Sequence, residues 1–134
     1  MPQTLDHVAQ TSSHLPQDTS YDGLNRLTSE TTPQGSITYS YDNANRRSSM
    51  TVAGQPTVNY AYDNVNRLTQ ITQGTATVSF GYDNANRRTS LTLPNSVVAA
   101  YSYDAASRVT GIAYTLGQNT IGNLTADLCT NLSQ

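Results

Sequence analysis

The sequence predicts an all-β fold: a repetitive ribbon of antiparallel β-hairpins, about five repeats stacked as a solenoid or spiral sheet, with short helical or irregular terminal segments. Three observations carry that prediction. A Tyr-Asp motif returns five times at near-constant spacing, apolar and polar residues alternate before each copy, and the composition suits strands better than helices. Charged residues make up only 12% of the 134, against about 25% in an average soluble domain. Thr, Ser, Asn and Gln fill the difference, Trp is absent, Tyr numbers nine, and all seven basic residues are Arg.

The motif organises everything else. Tyr21-Asp22-Gly23-Leu24-Asn25-Arg26 returns as Tyr41-Asp42-Asn43-Ala44-Asn45-Arg46, Tyr62-Asp63-Asn64-Val65-Asn66-Arg67, Tyr82-Asp83-Asn84-Ala85-Asn86-Arg87 and Tyr103-Asp104-Ala105-Ala106-Ser107-Arg108. The copies stand 20, 21, 20 and 21 residues apart, and the seven residues from Tyr41 recur letter for letter from Tyr82. That identity two periods on points to duplication of a pair of units.

Before each motif the alternation is strict: Ile37, Tyr39, Tyr41; Val58, Tyr60, Tyr62; Val78, Phe80, Tyr82; Ala99, Tyr101, Tyr103. A period of two means a strand with one buried face, which places these rings together on a packed face. Two aromatic ladders follow, one of Tyr39, Tyr60, Phe80 and Tyr101, the other of the motif tyrosines. After each motif, segments such as Ser48–Val52, Thr69–Thr72 and Ser90–Leu93 supply a second strand. Loops of varied spelling, such as Gln73-Gly74-Thr75 and Pro94-Asn95-Ser96, join one unit to the next.

The Asp-to-Arg segment is the other turn. Its Asp accepts backbone N–H groups, Asn tolerates left-handed dihedrals, and Arg four residues later lies back across the bend to pair with the Asp. An anion site on Arg46, Arg67, Arg87 and Arg108 is disfavoured because each Arg has an Asp beside it.

On these residues the chain resembles the Rhs/YD-repeat family, whose unit is written around Tyr-Asp, a small residue, Arg and an apolar-Thr pair. Tyr62 to Thr69 matches that pattern closely, and the resemblance runs over residues 19 to 114. It departs mildly where Asn stands for the family's frequent Gly. The family includes bacterial polymorphic toxins, C components of insecticidal toxin complexes and teneurins. The resemblance implies a β-strip that spirals into a hollow shell, often around a toxin, and an extracellular or cell-surface location. No Asp-Pro-type self-cleaving motif appears in Thr115–Gln134, and 134 residues are too few to enclose a folded toxin, so a complete encapsulating machine is not expected.

The sequence divides into a polar leader or cap over 1–18, the five-repeat β-domain over 19–114, and a degenerate repeat, cap or connector over 115–134. In the last part Ile121, Leu124, Leu128 and Leu132 approach helical spacing, and Leu5, Val8 and Leu15 do so faintly in the first.

Catalytic chemistry is not expected. The imidazoles, His7 and His14, sit in the repeat-free leader, and a carboxylate copied once per repeat serves repeat geometry better than a single active site. Asp42-Asn43-Ala44-Asn45 lacks the Gly and bidentate Glu of a calcium loop. No metal, cofactor or nucleic-acid partner is expected from a net charge of −2, and no apolar run is long enough for a helical membrane span. The opening residues lack a basic start followed by an apolar run, so no signal peptide is read there. Cys129 is read as a small apolar residue, with an intermolecular disulfide as the alternative. Asn123-Leu124-Thr125 and Asn131-Leu132-Ser133 are formal glycosylation sequons.

The functional expectation is a non-enzymatic structural module, building an end-to-end filament of itself or part of a β-shell. The alternatives are a module that grips carbohydrate or protein along its Tyr-rich face, and a fragment of a toxin-encapsulating shell.

Overall fold

The computed structural model describes residues 18–125. They form one sheet of eleven strands in sequential order, every neighbouring pair antiparallel. The strands are β1 (Asp18–Tyr21), β2 (Leu27–Thr32), β3 (Gly35–Tyr41), β4 (Arg47–Val52), β5 (Val58–Tyr62), β6 (Leu68–Gln73), β7 (Ala76–Tyr82), β8 (Arg88–Thr92), β9 (Val97–Tyr103), β10 (Val109–Leu116) and β11 (Asn119–Thr125). The expected hairpin ribbon is therefore present, with two strands per repeat, and the same sheet continues through β11.

Pairing explains the alternation. Tyr39 faces Met50, Tyr60 faces Ile71, Phe80 faces Leu91 and Tyr101 faces Ile112, which gathers apolar side chains on one face of the sheet. Thr38, Ser40, Ser49 and Asn59 fall on the other. The packing is shallower than a packed face implies. Ala99, 4% exposed, is the buried hydrophobic among the described residues, and the ladder rings are half-buried. No second layer covers the rings among these residues, so cohesion comes from within the sheet.

Each repeat carries one irregularity in the same place. Tyr21, Tyr41, Tyr62, Tyr82 and Tyr103 pair with Leu27, Arg47, Leu68, Arg88 and Val109, while the residue before each Tyr pairs two positions further along the partner strand. Thr28, Ser48, Thr69, Thr89 and Thr110 are thus left without an opposite residue, a β-bulge beside every motif turn. This is the structural place of the Thr or Ser that closes the sequence motif.

The helical spacing read at Ile121 and Leu124 is corrected: both lie in strand β11. A register shift between Tyr114 and Thr115 leaves Ile121 as the extra residue of a bulge, and a bulge turns a two-residue period locally into three. The rest of that pattern (Leu128, Leu132), the leader's Leu5, Val8, Leu15, His7 and His14, and Cys129 with the second sequon all lie outside the described residues. No helix among the described residues is long and apolar enough to cross a membrane.

Candidate functional site

The motif residues form one construction, repeated along one long margin of the sheet. In each turn the Asp backbone N–H donates to the Arg carbonyl, and the fifth motif residue donates to the Asp carbonyl. That fifth residue is left-handed in every copy, with φ of 58° at Asn25, 61° at Asn45, 67° at Asn66, 62° at Asn86 and 63° at Ser107. Asn bears this conformation better than most residues, which explains four of the five choices.

The Asp side chain closes the turn from inside. At Asp63, Oδ1 accepts the backbone N–H groups of Val65 (3.0 Å) and Arg67 (2.9 Å), and Oδ2 accepts Arg67 Nε at 2.6 Å. The same three bonds recur at Asp22, Asp42, Asp83 and Asp104. The expected Asp–Arg pair is thus present in all five turns.

The guanidinium also reaches forward into the next repeat. Arg26 Nη1 donates to Asn45 Oδ1 at 2.8 Å, Arg46 Nη1 to Asn66 Oδ1 at 2.8 Å, Arg67 Nη1 to Asn86 Oδ1 at 2.9 Å, and Arg87 Nη1 to Ser107 Oγ at 3.3 Å. Arg46, Arg67 and Arg87 also donate to the backbone carbonyls of Asp63, Asp83 and Asp104. The same four arginines lie over the rings of Tyr41, Tyr62, Tyr82 and Tyr103, 4.5–4.7 Å from their centroids. Each of those tyrosines sends its hydroxyl back to a bulge carbonyl of the preceding repeat: Leu27, Arg47, Leu68 and Arg88.

The two ends of this chain of links differ from its interior. Tyr21 is 60% exposed, and the Arg108 side chain is 81% exposed against 25–30% for the other four motif arginines. Arg47 and Arg88 are separate: they lie over Tyr39 and Phe80 on the apolar face. Tyr39 also donates its hydroxyl to Glu30, which pushes its pKa above the ordinary tyrosine value. Tyr60 and Tyr101 sit half-buried in the same ladder.

All five motif carboxyls are held below the ordinary aspartate value. At Asp22, Asp83 and Asp104 the backbone N–H of the motif Arg is the main cause, and at Asp42 it is the Arg46 side chain. At Asp63 burial pushes upward, yet the hydrogen bonds from Arg67 and Val65 together outweigh it. A folded-state value below the unfolded 3.8 means that the unfolded chain takes up protons first as pH falls. The stabilisation is therefore complete above about pH 5 and is lost as pH drops through 3.8 and the lower folded values. Thermal melts are expected to fall steadily below about pH 4 and to stay level from about pH 5 to 8.

Among the described residues no three His, Cys, Asp or Glu side chains gather at metal-binding distance, and every motif carboxylate is engaged by its own turn. Sequence reasoning found the turn and its ion pair but missed the forward Arg bond and the backward Tyr bond. The signal for the forward bond is the fifth motif position, Asn in four copies, where a turn alone would equally accept Gly.

Comparison with known proteins agrees with this construction. The family description RHS Repeat matches residues 21–57, and Teneurin YD-shell matches residues 43–127, more than half of the chain. No curated protein matches. Among solved structures, the crystal structure of TcdB2-TccC3-TEV superimposes with a TM-score of 0.74 at 16% identity, covering 87% of this chain. That of TcdB2-TccC3-Cdc42 superimposes at 0.72 and 17% identity, covering 91%. The chain spans 8% of the length of either structure, so the likeness speaks for the fold of a short stretch of strip. With the Tyr-Asp turns, the αL Asn and the repeat-to-repeat links all in register, the chain belongs to the Teneurin YD-shell family of Rhs-type repeat proteins.

Proposed function

We propose that the chain is a non-enzymatic structural segment of an extracellular β-shell, a length of wall that supplies shape rather than chemistry. The observation that carries this reading is the consumption of the motif. Asp, Asn, Arg and Tyr each spend their polar groups on their own turn or on a neighbouring repeat, and the same set of links can be appended without limit. A wall segment and an end-to-end assembly share one physical content, continuation of the strip by further repeats.

The test pairs chemistry with stability. A panel of hydrolase, transferase and redox assays on the full chain is expected to give no turnover, while D42N, D63N and D83N each lower the melting temperature. Turnover abolished by a single Asp→Asn or His→Gln change, with melting unaltered, overturns the proposal.

A second reading is favoured by the half-exposed rings of Tyr39, Tyr60, Phe80 and Tyr101, which offer a face for a sugar or a protein. Saturable glycan binding lost in Y60A, with the fold retained, would move the assignment there.

A further inference from the structure

Of the seven arginines, five are paired with the Asp of their own turn. The other two, Arg47 and Arg88, make no ion pair among the described residues. Each is exposed and lies over a ring of the apolar face, Arg47 at 4.4 Å from the Tyr39 centroid and Arg88 at 4.8 Å from that of Phe80. A guanidinium held over a ring is positioned by it, while its N–H donors stay available to a carboxylate.

The two positions recur at the two-repeat period. Arg47 and Arg88 stand opposite the motif residues Tyr41 and Tyr82, and in the other repeats that place is held by Leu68 and Val109. Tyr60 and Tyr101 therefore carry no cation, and the face alternates a ring under a guanidinium with a bare ring. Arg47 begins β4 and Arg88 begins β8, four strands apart, so they stand ~19 Å from one another across the sheet. That spacing selects the partner. Single-stranded nucleic acid is charged at every nucleotide and needs a continuous basic track, which two guanidiniums on a chain of net charge −2 do not make. An acidic peptide joins a sheet through the backbone groups of an edge, which the middle of a face does not offer. A chain of sugar rings with intermittent carboxylates meets both features: its C–H faces pack on bare tyrosine rings, and a carboxylate accepts two N–H groups from an arginine.

We propose that the ladder face binds an extended acidic polysaccharide laid across the strands, with Arg47 and Arg88 taking its carboxylates and Tyr60 and Tyr101 its ring faces. The proposal rests on the second reading above, of this face as a binding surface, and names the class of ligand. The two arginine sites are unequal. Glu30, opposite Ile37, accepts the hydroxyl of the same Tyr39 on which Arg47 lies, whereas the corresponding place beside Phe80 is held by Ile71, opposite Val78. Arg88 lacks that competing carboxylate and is the stronger site.

Titration calorimetry on the full chain with a galacturonate oligomer long enough to reach from Arg47 to Arg88 is expected to show saturable binding that weakens as salt rises. The methyl ester of that oligomer, the same sugar chain without charge, is expected to bind at least about tenfold more weakly. R47L and R88L introduce the residue that the fold already carries at the equivalent Leu27 and Leu68, so circular dichroism is expected to stay unchanged while affinity falls, further for R88L than for R47L. The double variant is expected to bind the acid no better than the unaltered chain binds the ester. An ester, a polyglutamate or a single-stranded oligonucleotide bound as tightly as the acid overturns the proposal, as does a double variant that binds like the unaltered chain. Acid and ester bound alike, with both lost in Y60A, removes the arginines and leaves the face a binding surface. Binding of neither removes that second reading as well, and leaves the wall reading standing.

Discussion

Tyr82→Ala is expected to destabilise the sheet by about 2–3 kcal/mol in chemical denaturation, and Tyr82→Phe by about 1 kcal/mol. The ring is half-buried, so its truncation forfeits about 1 kcal/mol of apolar burial rather than the full value of a core aromatic. It also removes the surface on which the Arg67 guanidinium lies, 4.7 Å from the centroid, worth about 0.5–1 kcal/mol. The hydroxyl, which donates to the Leu68 carbonyl at 2.9 Å, adds about 1 kcal/mol and is the part that Phe isolates. A fully buried tyrosine at Tyr62 or its equivalents would cost about 3–5 kcal/mol, and the absence of a covering layer among the described residues is what lowers the figure. Equal losses for Ala and Phe would show that the ring itself contributes nothing.

Arg67→Ala is the second large effect, expected at about 2 kcal/mol from its stacking on Tyr82 and its bonds to Asn86 Oδ1 and the Asp83 carbonyl. Arg108→Ala is its control. Arg108 closes its own turn with the same bond to Asp104, but its side chain is 81% exposed and contacts no later repeat among the described residues. Its replacement is expected to cost well under half as much. Similar losses at the two positions would place the stability in the turn and not in the links between repeats. A double-mutant cycle on Arg67 and Tyr82 should return a coupling of about 0.5–1 kcal/mol.

Much of the fold was legible because duplication repeats its own evidence. The 20- and 21-residue spacing set the hairpin count, the alternation at Ile37, Tyr39 and Tyr41 set the faces, and Asp with Asn set the turn. All of these are local in the chain. What stayed hidden joins residues 14–20 apart: Tyr41 to Leu27, Tyr62 to Arg47, Arg46 to Asn66. Such pairs depend on how one hairpin sits against the next, which no single period spells out. β11 was misread for a related reason. A bulge at Ile121 breaks the two-residue rhythm, and what remains imitates three- and four-residue spacing.

The five bulges have a geometric consequence. All of them lie at the same long margin, next to the Tyr-Asp turns, while the hairpins of the opposite margin pair without a shift from β2–β3 to β8–β9, and only β10–β11 carries a bulge there, at Ile121. Each of the five makes the backbone path longer on the Tyr-Asp side and adds to the local right-handed twist. Increments placed in phase accumulate instead of cancelling. The ribbon is therefore driven to coil with an arc proportional to the number of repeats, so that curvature is a property of the unit and enclosed space a property of the count. Thr28, Ser48, Thr69, Thr89 and Thr110, which touch no chemistry, are in that sense the residues that set the radius.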